Sequence, residues 1–204
     1  MKLTNKIIIK ILLTSLFLNF SVHLSTKADD IGDFQIEGVG IGESLLDHLT
    51  LNKIKSEEEV GTKIGDYVMV YIYYDQNGSK LYDQVQVAYK LNDKKYIIHQ
   101  VAGFLNYDKN INGCLNKKKE IEKELNEIFS NTKPISNNNF SHPYDKSGKT
   151  KAWNTNYTFD SGGVVTVGCM DWSKKFEKEN KWVDSLDINI TSAKYWSYLG
   201  AFYK

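Results

Sequence analysis

An α+β fold of two halves, each a helix on a three-stranded antiparallel meander with the helices on one sheet face, is what this chain predicts. Three observations carry the prediction. Segments rich in β-branched and aromatic residues, such as Tyr67–Tyr74, alternate with turn signals. One long stretch from Asn112 to Ser130 keeps helical periodicity. The order of elements runs helix, three strands, helix, three strands, so the halves fall at about residues 36–104 and 111–191.

The elements follow in chain order. Residues 1–28 have the layout of a cleaved secretory signal peptide: Lys2 and Lys6 ahead of the mostly apolar run Ile11–Phe20, then small residues at Thr26-Lys27-Ala28. The run is interrupted too early to span a bilayer, which needs about 20 apolar residues. No cysteine near the cleavage site offers a lipid anchor. After cleavage, residues 29–204 form one α+β domain of 176 residues with 22 Lys against 25 acids, a net charge of −3. That balance disfavours nucleic acid and acidic lipid as partners. Every basic residue of the full chain is Lys and none is Arg, so bidentate arginine recognition is absent.

In the mature chain, Ser44–Leu49 reads as a short amphipathic helix, Thr50-Leu51-Asn52 as a break, and Ser56-Glu57-Glu58-Glu59 as the capping box of a second helical turn. Strands are expected over Tyr67–Tyr74, Leu81–Leu91 and Lys95–Phe104, with Asp75–Ser79 as the first turn. Asn112 is the expected N-cap of the long helix. The run Lys117-Lys118-Lys119, balanced by Glu120, Glu122 and Glu124, reads as a solvated helix face. Residues 131–150 hold both prolines, Pro134 and Pro143, and read as a long loop, the segment most open to protease. Strands return over Lys151–Phe159, Val164–Cys169 and Trp182–Ile190, and Thr191-Ser192 caps a last short helix, Ala193–Leu199, stopped by Gly200.

Cys114 and Cys169 are the two cysteines of the chain. An even count in an exported protein predicts a disulfide, whose loop of about 55 residues is worth roughly 4 kcal/mol on the chain-entropy model. A metal site is the poorer reading, because no CxxC exists and no His lies within four residues of either.

The opening Phe34-Gln35-Ile36-Glu37-Gly38-Val39-Gly40-Ile41-Gly42-Glu43-Ser44-Leu45-Leu46-Asp47 resembles a family of uncharacterised exported proteins from AT-rich marine alphaproteobacteria. The likeness extends to Cys114 at the start of the middle helix and to Cys169-Met170-Asp171-Trp172. It implies location and fold, with no mechanism. A Gly-x-Ser helix opening followed by a meander is also similar, at fold level, to outer-membrane assembly lipoproteins and beta-lactamase-inhibitor-like modules, whose tandem helix-plus-sheet units serve interaction.

Chemistry is sparse. His48, His99 and His142 are the mature chain's histidines, and no GxSxG elbow, HExxH, EF-hand loop or GxGxxG accompanies them. His48 adjoins Asp47, but adjacent helical residues point apart. His99 reads as a structural strand histidine, while His142 and Asp145 form the one pair expected to be exposed. No catalytic residue, metal or cofactor is expected. The sequons at Asn77, Asn139, Asn156 and Asn189 read as chance in an Asn-rich chain. Trp153, Trp172, Trp182 and Trp196 cluster with Tyr157, Tyr195, Tyr198 and Tyr203 in the last quarter, either as core or as stacking rings for a glycan. The expectation is a non-catalytic, periplasmic or secreted protein that binds an envelope protein, with a small carbohydrate-binding protein as the alternative.

Overall fold

The computed structural model describes residues 31–72, 81–143 and 145–202. The signal-peptide reading of residues 1–28, the turn at Asp75–Ser79, the sequon at Asn77 and the ring of Tyr203 lie outside the described residues. The architecture is α+β, with one large antiparallel sheet and four α-helices among the described residues.

A small hairpin comes first, β1 (Gln35–Ile36) against β2 (Val39–Gly40). Its two turn residues, Glu37 and Gly38, have φ of 52° and 79°, the left-handed pair that a tight hairpin requires. Helix α1 then spans Leu51–Val60. This departs from the expected break and capping box. Thr50 is the N-cap, its hydroxyl accepting from the Lys53 amide. Ser56 sits mid-helix, donating to the Lys53 carbonyl. The Ser44 segment closes a single 3-10 turn, Leu45–Asp47, in place of a helix.

Eight strands form the main sheet: β3 (Thr62–Ile64), β4 (Tyr67–Ile72), β5 (Gln84–Lys90), β6 (Ile98–Asn106), β7 (Ile135–Ser141), β8 (Lys151–Thr158), β9 (Val164–Asp171) and β10 (Ser185–Thr191). Their spatial order is β3-β4-β5-β6-β10-β9-β8-β7, with every neighbour antiparallel. The three-plus-three strand expectation undercounts. Strand β3 is too short to leave a periodic signal, and β7 lies inside the expected loop at residues 131–150. Its sequence, Ile-Ser-Asn-Asn-Asn-Phe-Ser, is rich in residues that strands disfavour. It pairs along one side only, as an edge, with a bulge between Asn137 and Phe140.

Helix α2 (Ile111–Ile128) is capped by Asn110, two residues before the expected Asn112, because the Asn110 side chain accepts from Gly113 N–H. Helices α1 and α2 bury Ile54, Ile121 and Leu125 against Val68, Val87, Val101, Val167, Leu186 and Ile188 on one sheet face. The Cys114–Cys169 disulfide ties α2 to β9 across this core, with Cα atoms 6.1 Å apart. It is the bond expected in an oxidising compartment.

Two shorter helices complete the chain. Helix α3 (Lys174–Asn180), between β9 and β10, left no expectation in the sequence. Helix α4 (Ala193–Phe202) runs through Gly200, which was expected to stop it. It lies on the opposite sheet face, where Tyr195 packs with Tyr67 and Ala88. The helices therefore do not share one face.

Lys118 corrects the reading of the lysine run. It is buried, and its ammonium donates to the Glu122 carboxylate (2.5 Å) and the Thr155 hydroxyl (2.8 Å) under the sheet. Helical rotation turns it inward, while its neighbours on either side remain outside the core.

Candidate functional site

Residues paired across an antiparallel ladder share a face, so the register shows what each side of the sheet presents. Away from α1 and α2, four rows cross the sheet. The first joins Met69, Ala88, Gln100, Thr191, Val164 and Thr158. The second joins Tyr71, Gln86, Ala102, Asn189, Thr166, Asn156 and Ile135, and the third Gln84, Phe104, Asp187, Gly168, Asn154 and Asn137. The fourth joins Asn106, Ser185, Met170, Ala152 and Phe140. Helix α4 reaches the Met69 and Ala88 corner. From β4 to β8 this face measures about 24 Å, at the usual strand spacing.

Amides and hydroxyls make up half of it, set among Tyr71, Phe104, Phe140 and small or aliphatic residues such as Ala88, Ala102, Val164 and Met170. A quarter of the chain's residues are charged. Yet Asp187 is the sole acid or base in the four rows. It is buried, and burial pushes its carboxyl up to about 6, partly opposed by a hydrogen bond from the Asn189 amide.

Gly168 separates Asp187 from Asn154. A Cβ there would meet Asn154 Oδ1 at 2.7 Å and Asp187 Oδ1 at 2.8 Å, so glycine is what lets both oxygens lean over β9. Asn154 Oδ1 is buried and has no hydrogen-bond partner. Next to this pair, Thr166 donates to Asn156 Oδ1 at 2.8 Å. Sequence reasoning missed this group. Its signal was the alternation of Asn, Thr and Asp along β8, β9 and β10, visible only once the strands are aligned.

A second cluster lies where β9 leaves the sheet and β10 enters it. Trp172 and Trp182 meet at 4.4 Å between centroids, and Phe176 from α3 stacks on both, at 6.0 and 5.6 Å. His142 meets the Trp172 edge at 5.3 Å. All four rings are half-buried. Burial holds His142 below the ordinary histidine value. Asp171 is raised by burial and by the nearby Asp184 and Glu177. The other tryptophans part company: Trp153 packs on the main core and Trp196 is exposed on α4. Tyr157 and Tyr195 are core residues.

The remaining candidates have structural work. Asp145, expected to be exposed beside His142, is buried. Its carboxylate accepts from the Ser147 hydroxyl (2.6 Å), the Thr150 hydroxyl (2.8 Å) and both backbone amides. These bonds, led by the Ser147 hydroxyl, hold it well below the usual carboxylate range. His99 bonds Ser192 Oγ at 3.2 Å and meets the Tyr67 ring, and burial lowers it. His48 bonds Glu43 at 3.0 Å. Glu43 also takes the Gln35 amide (2.7 Å) and Gly40 N–H (3.1 Å), pinning the first hairpin. Asn156 and Asn189 lie half-buried in the sheet, and Asn139 is exposed on β7.

Among the described residues no group of three or more metal-binding side chains assembles, and no helix is long and apolar enough to cross a membrane. The fold defines an α+β protein whose large antiparallel sheet carries α1 and α2 on one face and α4 at a corner of the other. No protein-family model matches the chain, and neither does any curated protein or solved structure.

Proposed function

We propose that this is an exported, non-catalytic interaction protein of the cell envelope, and that it docks a partner protein on the sheet face opposite α1 and α2. One observation carries the reading: four rows in which amides, hydroxyls and a few rings alternate with small and apolar side chains, with a single acid among them. Solubility alone is served by Lys and Glu, which this chain has in abundance and which interface centres exclude. The disulfide suits an extracytoplasmic setting, and the signal-like residues 1–28 supply the route.

The same proposal covers the plan of the fold. The order α1-β3-β4-β5-β6 and then α2-β7-β8-β9-β10, with β6 beside β10 at the centre, supports two helix-plus-meander halves of four strands each. That is the plan of the interaction modules the sequence resembles, and the exported family suggested by the Phe34–Asp47 opening is part of this reading.

The test is capture from envelope extract by the mature protein, repeated with Gln84→Lys/Gln86→Lys. A specific protein retained by the wild type, lost with that variant and kept by Glu124→Lys on α2 supports docking on this face. Equal capture by all three refutes it. The second reading, a carbohydrate-binding protein, is favoured by the half-buried ring cluster of Trp172, Trp182 and Phe176. Glycan binding lost on Trp182→Ala, with no protein captured, would select it.

A further inference from the structure

We propose that the open edge of β7 takes up an extended segment of a partner protein, one with acidic residues at both of its ends. Strand β7 pairs with β8 along one side and closes the eight-stranded sheet at that margin. In an antiparallel pair, alternate residues turn their N–H and C=O groups away from the neighbour. Among the described residues, none of those outward groups from Ile135 to Ser141 bonds to another element.

The two edges of the sheet differ. At the other margin β3 has three residues, Thr62–Ile64, with the exposed Lys63 at its centre. Short length and a central lysine are how native edges refuse a further strand. Strand β7 has seven residues with no charge among them, and its Ile135 is 62% exposed.

Charge gathers at the ends of β7. The exposed Lys133 lies just ahead of the strand. At the far end Lys151, opposite Ser141, places its ammonium 3.0 Å from Ser141 Oγ, although its cross-strand neighbour on β9 is Asp171. The exposed Lys149 joins it there, because the loop folds back with His142 N–H donating to the Thr150 carbonyl at 3.0 Å. Asp145, the acid of that loop, is buried and committed to Ser147 and Thr150. Lysines of α1 and α2 pair with glutamates, as Lys53 does with Glu57 and Lys117 with Glu120. Lys133, Lys149 and Lys151 have no acid partner among the described residues.

This layout selects the occupant. Backbone groups along a sheet edge are met by another extended backbone, with side chains giving selectivity. A second copy of this chain fits poorly. Antiparallel pairing of β7 with itself would set Lys133 of each copy near Lys149 and Lys151 of the other, and would bring together the two bulges between Asn137 and Phe140. A segment with acids at its ends meets the lysines, and an apolar residue beside Ile135 shields it. The edge borders the docking face through Ile135, Asn137 and Phe140. The inference does not rest on that reading, because the backbone of the edge carries it.

The experiment is a nuclear magnetic resonance titration of the mature, disulfide-bonded protein with three blocked peptides. The first is Asp-Asp-Thr-Val-Thr-Val-Thr-Asp-Asp, the second has Lys in place of every Asp, and the third is the first with Pro in place of both Val. The acidic peptide should saturate, with amide shifts along 135–141 and none along 62–64. The other two should bind more weakly by about tenfold or more. Lys133→Glu/Lys149→Glu changes two exposed side chains and should reverse the preference, weakening the acidic peptide by about tenfold and strengthening the Lys-flanked one. No saturation, saturation without shifts in 135–141, equal binding of the acidic and Lys-flanked peptides, or an unreversed preference in the folded variant overturns the proposal. So does self-association in sedimentation that protects the 135–141 amides, since a second copy would then hold the edge.

Discussion

The two faces of the sheet are written in alternate residues of the same strands, and they obey different rules. Along β10, Leu186, Ile188 and Ile190 enter the core under α2, while Ser185, Asp187, Asn189 and Thr191 face the other way. Burial dictates the first set, because an apolar side chain gains free energy roughly in proportion to the surface removed from water. The second set is polar although Ser185, Asp187 and Thr191 are buried as well. A face required only to stay wet tolerates Lys and Glu, and this one holds amides, hydroxyls and a few rings. Apolar burial accounts for the first side, and the polar choice on the second is what the proposed recognition explains.

The comparison is broken most forcefully at the disulfide, which belongs wholly to the covered side. Replacing Cys114 and Cys169 by Ala should cost about 4 kcal/mol, read as a lowered midpoint in thermal or denaturant unfolding. A loss under 1 kcal/mol would mean that α2 is held by packing alone. Next comes a matched pair of truncations. Ile188→Ala on the covered face should cost about 3 kcal/mol, whereas Gln86→Ala on the other should stay within about 0.5 kcal/mol. Equal costs in chemical denaturation would show that Gln86 supports the fold as much as the core does.

Two carboxylates then sharpen the contrast through pH. Asp187 titrates near 6 in the folded protein, above the unfolded value of about 4. The native state thus holds its proton more tightly, and stability falls as pH rises through that window. Asp187→Asn should therefore gain up to about 3 kcal/mol at neutral pH and nothing below pH 4. Asp145 has the opposite sign: its folded carboxyl is held low by Ser147 and Thr150. Its contribution is complete above the unfolded value and is lost as pH falls towards the folded one. Melting curves of wild type, Asp187→Asn and Asp145→Asn from pH 3 to 8 should show the two variants diverging in opposite directions. Parallel curves would remove both assignments. The smallest effect is expected at the rings, where Trp182→Ala should shift tryptophan emission with only a modest change in midpoint.

Much of the fold was legible because periodicity is local. The run Tyr67–Ile72, the alternation through Val85, Val87 and Tyr89, and the spacing of Ile121, Leu125 and Phe129 each report burial on one side. The disulfide was legible from the count of cysteines together with the expectation of export. The misses share a cause. Strand β7 is a strand because β8 offers it an edge, against the propensity of its asparagines. Lys118 is buried because the helix turns it onto Thr155, and Asp145 because two hydroxyls distant from the sheet's centre close around it.

Composition and local pattern by themselves determined an α+β chain with strands, a long helix and a pair of cysteines suited to one bond, since those follow from each residue's own geometry and hydrophobicity. Only the tertiary structure decided that eight strands join in one sheet, that α4 crosses to the other side, and that Asp187, Gly168 and Asn154 fall in one row. Register between strands is set by side chains far apart in sequence, and a shift of one residue would have turned every one of those groups to the opposite face.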